Sequence, residues 1–70
     1  MRIGELAAAA GVSVKAVRYY EEIGVLAPPA RTSSGYRDYD IEACDRLAFI
    51  RAARAVGLTL GEIRGIVALR

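Results

Sequence analysis

Between two segments of helical periodicity, only Gly11 and Val12 are left to turn the chain. Ile3, Leu6, Ala7 and Ala10 share one face at the i, i+3, i+4, i+7 spacing of an amphipathic helix. Alanine propensity supports that helix, and Glu5 complements its positive N-terminal end. Gly11 takes positive φ at almost no steric cost and stops it. Ser13 then serves as the N-cap of a second helix, with Val12 and Val17 at the spacing of a hydrophobic staple. The pattern predicts helices over about 3–10 and 13–23. They are joined by a tight turn, and Leu6, Ala7, Ala10, Val12, Val17 and Tyr20 face one interior. The small Ala7 lets the helices cross closely. This is the pattern of a helix-turn-helix, and any two-helix hairpin shares it.

The rest of the chain continues the punctuation. Gly24 suits the residue past a helix end, with Val25 or Leu26 folding back as its apolar partner. Ala27 to Gly35 holds two prolines and three hydroxyl residues and reads as a loop or hairpin. Arg31 to Tyr39 is expected to form a short hairpin, with Thr32–Gly35 as the turn and Tyr36–Tyr39 as the returning strand. Asp40 caps a third helix, and Gly57 ends it. Cys44, Leu47 and Ile50 line one stripe of that helix, and Phe49, Ala52, Ala53 and Val56 another, so it is expected to be sandwiched. Thr59 and Glu62 form a capping box that opens a fourth helix bearing Leu60, Ile63 and Val67. The expected fold class is mainly α with a short β-hairpin, in one domain over 1–70. Its parts are a helix-turn-helix over 1–24, a wing over 25–39 and a helix pair over 40–70.

Stability has to come from packing. Among 70 residues there is one cysteine and no histidine, while 54 % are apolar. An internal disulfide and the usual Cys/His zinc sites are therefore excluded. Histidine acid/base chemistry is excluded as well. Cys44 reads as an apolar filler rather than a sensing thiol or metal ligand. No catalytic, metal-binding or cofactor-binding set converges, so an enzyme is not expected and no cofactor is expected in this segment. No apolar run approaches the ~20 residues that span a bilayer. No secretory signal is visible. A cytoplasmic protein with no membrane partner is the expectation.

The net charge is +2. It resides in Met1 to Arg37, which holds five basic and three acidic residues, whereas Asp38 to Arg70 is balanced. A balance this small hints only weakly at an anionic partner, and the pattern says more. If Val17 and Tyr20 face inward, Ser13, Lys15, Arg18, Tyr19 and Glu22 face outward. A recognition helix presents such N-terminal residues to base edges in the major groove. Arginine pairs bidentately with guanine, and serine and tyrosine hydroxyls reach phosphates. An ordinary solvated face fits Lys15 equally well but fits the exposed aromatic Tyr19 less well. Glu21 and Glu22 read as solvated helix charges. In the hairpin, Arg31, Tyr36, Arg37 and Tyr39 interleave cations with aromatics. There Arg37 reads as a phosphate ligand and Tyr36 as a cap on the core, with Tyr39 open between the two roles.

Ile3-Gly4-Glu5-Leu6-Ala7, Gly11-Val12-Ser13, Val17-Arg18-Tyr19-Tyr20-Glu21, Ile23-Gly24-Val25-Leu26 and Gly35-Tyr36-Arg37-Asp38-Tyr39 follow in order. Leu47, Phe49-Ile50, Ala53-Arg54, Gly57, Leu60 and Glu62-Ile63 continue the series. The whole chain resembles the N-terminal DNA-binding domain of the MerR family of bacterial transcription regulators. The resemblance implies a winged helix-turn-helix followed by a helix pair. It implies binding to double-stranded promoter DNA, which is bent and untwisted so that RNA polymerase can use it. It implies a homodimer formed through a long helix beyond Arg70. Carried onto this sequence, Arg18 and Tyr19 match the main recognition-helix contacts and Ser13 and Lys15 the variable ones. Arg37 and Tyr39 match wing contacts, and Arg31 a basic position before the wing turn. Cys44 departs from the aliphatic residue usual in the family. An excisionase-like architectural DNA-bending protein, or a protein-interaction module using the hairpin and last helix, are the alternatives.

Overall fold

The computed structural model describes residues 1–69. Arg70, the expected end of the helix pair, lies outside them. Helix α1 (Ile3–Ala10) opens with the backbone N–H of Arg2 donating to Glu5 Oε1 at 2.9 Å. It closes on Gly11 at φ 71°, where the amides of Gly11 and Val12 donate to the carbonyls of Ala8 and Ala7. That pair of bonds is a Schellman motif, and it uses carbonyls the helix would otherwise leave unpaired. Helix α2 (Val14–Glu22) starts at once, with Ser13 Oγ accepting from the Ala16 amide at 3.0 Å. It ends in a second Schellman turn at Gly24, φ 84°, after which Val25 and Leu26 fold back into the core.

The wing is smaller than the sequence pattern suggests. Strands β1 (Ala30–Arg31) and β2 (Arg37–Asp38) pair antiparallel, Ala30 opposite Asp38 and Arg31 opposite Arg37. Tyr36 and Tyr39 lie outside the ladder. The turn is held by the Thr32 amide on the Tyr36 carbonyl (2.7 Å) and the Tyr36 amide on Thr32 Oγ1 (3.1 Å). Beyond β2, the Tyr39 amide donates to the Met1 carbonyl, tying the start of the chain alongside the hairpin.

Helix α3 (Ile41–Ala55) is capped by Asp40 and packs on α1 and α4. Helix α4 (Leu60–Val67) opens with the Thr59–Glu62 capping box. Leu6, Val17, Val25, Leu47, Ile50 and Ile63 are fully buried, so every helix and the loop after α2 contribute to one core. Helix α3 lies against both α1 and α4, but its second apolar stripe is only partly covered. Leu47, Ile50 and Ala53 are buried, but Ala52 is exposed and Val56 is 80 % exposed. Phe49 and Ala53 of the second stripe pack against the core, and only Ala52 and Val56 meet solvent.

Two arginines of the helix pair reach back to the helix-turn-helix. Arg51 Nη1 donates to the carbonyl of Ala10 at 3.1 Å, and Arg64 Nη1 to that of Ile23 at 3.3 Å. Each places a cation on the C-terminal end of α1 or α2, where the helix dipole is negative. Arg51 lies so close to Gly11 that a β-carbon there would sit 2.8 Å from its Nη1. The positive φ favours glycine at this position, and a β-carbon there would also make the Arg51 side chain shift.

Candidate nucleic-acid interface

Helix α2 sorts its residues by the packing of Val17. With Val17 fully buried, Lys15, Arg18 and Glu22 emerge on the solvent side. Tyr19 is 48 % exposed, and its ring leans on that of half-buried Tyr20, centroids 6.3 Å apart. Ser13 is exposed at the head of the helix; its Oγ accepts the capping bond and keeps its own proton to donate. A serine, a lysine, an arginine and a tyrosine thus share one outward surface within two turns. Those side chains can donate to phosphates and base edges, and the arginine fork suits guanine.

On the wing, Arg31 is exposed and its Nη1 donates to the Gly35 carbonyl at 2.9 Å, bracing the turn it precedes. The packing separates the two tyrosines. Tyr36, read as a cap on the core, is 53 % exposed and lies beneath the Arg2 guanidinium, whose Cζ is 4.0 Å from the ring centroid. That stacked cation and aromatic place Arg2 beside the wing, a basic residue the sequence reading left out. No local signal points to it, because the pairing joins positions far apart in the chain.

Tyr39, left open between the two roles by its residues and matched to a wing contact by the resemblance, packs inward. It is 2 % exposed, so its ring belongs to the core rather than to a DNA-facing surface. Its hydroxyl donates to Glu21 Oε1 at 3.0 Å. Burial raises the phenol above its ordinary value of 10.0; the hydrogen bond to Glu21 and that carboxylate's charge add to the rise, against the opposing charges of Arg37 and Arg18. Glu21, read as a solvated charge, has a side chain only 7 % exposed, and its Oε2 accepts from Arg37 Nη2 at 3.2 Å. Arg37 is therefore not a free wing cation: it is ion-paired to α2, with 39 % of its side chain exposed.

Among the described residues no group of three or more His, Cys, Asp or Glu is placed to hold a metal ion. Cys44 is a half-buried free thiol packed against the core. No described helix is long and apolar enough to cross a membrane.

The sequence pattern of the MerR HTH family regulatory proteins matches residues 1–69. The chain is 45 % identical over 69 residues to the HTH-type transcriptional regulator HmrR of Sinorhizobium medicae, covering 99 % of this chain and 47 % of that protein. It is 48 % identical over 62 residues to the mercuric resistance operon regulatory protein of Bacillus cereus, covering 89 % and 47 %. The chain thus spans about half the length of these relatives. The fold superposes with a TM-score of 0.93 on the transcription regulator PbrR691 from Ralstonia metallidurans CH34, solved in complex with lead(II). That match has 48 % identity and covers 100 % of this chain and 55 % of that one. The N-terminal part of the Bacillus subtilis multidrug transporter activator gives 0.86 at 31 % identity, over 96 % and 63 %. These relatives are regulators, not enzymes, and the two solved structures share the fold described above. The chain belongs to the MerR family of regulatory proteins.

Proposed function

We propose that this chain is the DNA-reading head of a transcription regulator that binds a promoter sequence-specifically and distorts it to control initiation by RNA polymerase. The observation that carries this reading is the exposed Ser13–Lys15–Arg18–Tyr19 surface of α2, on a chain that matches the family from end to end. The helix-turn-helix (1–24) reads bases through Arg18, with Ser13, Lys15 and Tyr19 on bases or phosphates. The wing (25–39) grips the adjacent backbone through Arg31, joined by Arg2. The helix pair (40–70) carries both. The whole regulator acts in the cytoplasm as a homodimer, joined through a helix following residue 70, so that two heads reach paired half-sites. No cofactor is assigned to this segment.

The test is binding to a duplex selected from a random pool, compared with a scrambled duplex of equal composition. Arg18→Ala is expected to cost about 1–3 kcal/mol of discrimination between the two. Equal losses on both duplexes would make Arg18 a phosphate anchor instead. Salt-independent binding, or none, would remove the DNA-binding reading altogether.

A further inference from the structure

We propose that Glu21, Arg37 and Tyr39 form a clip that sets the wing at one angle to α2, and that Glu21 is a positioning residue for DNA recognition. The inference rests on the DNA-binding reading above and adds to it a group that does not touch DNA. Glu21 sits on α2 three residues past Arg18, hence on a neighbouring part of the helix surface. Its carboxylate is almost wholly covered and accepts from both wing residues at once, Arg37 Nη2 on one oxygen (3.2 Å) and the Tyr39 hydroxyl on the other (3.0 Å).

The geometry is that of an anchor rather than a surface ion pair. Exposed pairs hold little, because water competes and two long side chains lose freedom. Here one partner is buried, and the Arg37 Nε is buried too, with no hydrogen-bond partner among the described residues. The guanidinium keeps its place on Glu21 even though one N–H goes unanswered, a loss that burial normally penalises. The clip also closes a charge problem. A buried carboxylate one turn from Arg18 would repel an approaching polyanion, and Arg37 neutralises it where it stands. The wing and the reading helix then meet DNA as one preformed body, which lowers the ordering cost of binding.

The experiment measures fluorescence anisotropy of the 70-residue chain on the selected and scrambled duplexes over a range of salt, with circular dichroism as a check on folding. Glu21→Gln removes the charge and keeps the shape. The expected result is a loss of preference for the selected duplex of roughly tenfold, the size of one good base contact. The salt dependence should be at least as steep as in the wild type, since Arg37 regains a free charge. A merely structural role would instead lower affinity for both duplexes together and flatten the salt slope. If Glu21→Gln does not fold, Tyr39→Phe is read in its place. It keeps the ion pair and cuts one tether, and a smaller loss of preference with an unchanged slope is expected. Wild-type preference retained in a folded Glu21→Gln, or in Tyr39→Phe where that variant is the one read, overturns the clip and leaves the DNA-binding reading intact. Failure of the wild-type chain to bind either duplex overturns both.

Discussion

The helix-turn-helix and the wing are held by opposite means. In α1, the turn and α2, the bonds that start and stop each helix join residues three to five apart, such as Arg2 with Glu5, Ser13 with Ala16 and Ala7 with Val12. The wing pairs only two residues on each strand. A two-stranded hairpin is marginally stable at best on its own. Local bonds close its turn, but its ties to the rest of the molecule are distant in sequence: Tyr39 to Glu21 spans 18 residues, and the Met1 ammonium to Asp38 spans 37. Helix α2 is thus specified locally and then packed, whereas the wing exists in its observed place because the rest of the molecule is already folded. Damage to the core should take down both regions, and damage to the long ties should release the wing alone.

The largest effect should come from the core that both regions lean on. Leu6 is fully buried between α1 and its neighbours, and Leu6→Ala is expected to cost about 2–5 kcal/mol. Chemical denaturation should show one transition, with wing and helices lost together; two separate transitions would break the claim that the wing depends on the core. Next comes Tyr39→Phe, which removes a hydrogen bond to a charged group worth about 1.5–3 kcal/mol. Hydrogen exchange should speed up at the Thr32 and Tyr36 amides while the Val12 and Val17 amides keep their protection. Uniform acceleration would mean that Glu21 holds up α2 as much as the wing.

Gly11→Ala probes the local side of the comparison. Alanine at φ 71° costs about 1–2 kcal/mol, and its β-carbon displaces Arg51 from the Ala10 carbonyl. Thermal unfolding should shift down while the wing amides stay as protected, relative to global stability, as before. The smallest effect is expected at α4, which is opened by a local cap as α2 is. The Thr59 amide, and then its hydroxyl, hold the Glu62 carboxyl below its ordinary value of 4.5. A depressed carboxyl stabilises the fold above the unfolded value, and that contribution disappears as pH falls through the lower folded value. Acid titration below pH 4.5 should therefore cost the wild type slightly more stability than it costs Glu62→Gln. Parallel acid profiles would show that the charge of the Glu62 carboxylate contributes nothing at this helix end.

The same division explains which parts of the site were legible. Ser13, Asp40 and Thr59 are found as caps because a cap's donor and acceptor lie within one turn of each other in the chain. The outward set of Lys15, Arg18 and Tyr19 follows from Val17 by helical geometry alone. Which of Tyr36 and Tyr39 is buried could not be read. They stand three apart, so an extended chain puts them on opposite sides, but nothing in a short polar hairpin says which side meets the core. Glu21 looks like any helix-surface acid until the wing folds over it. Arg51 and Arg64 look like solvated charges until α3 and α4 bring them to the ends of α1 and α2. The apolar stripe ending at Val56 suggested a wholly buried face, where packing covers Phe49 and Ala53 and leaves Ala52 and Val56 to solvent.

What this sequence determined by itself are the helices, their caps and the turn at Gly11, together with which residues of α2 share a face. These depend on φ preferences and on hydrogen bonds that close within a few residues, so the necessary atoms are neighbours before any folding occurs. Only the tertiary structure decided which tyrosine is buried, which arginines remain free to meet a phosphate, and that Glu21 is an anchor. Those outcomes turn on burial and on charges meeting across 16 residues or more, as Glu21 and Arg37 do. The strength of such contacts is set by how much water the assembled core excludes.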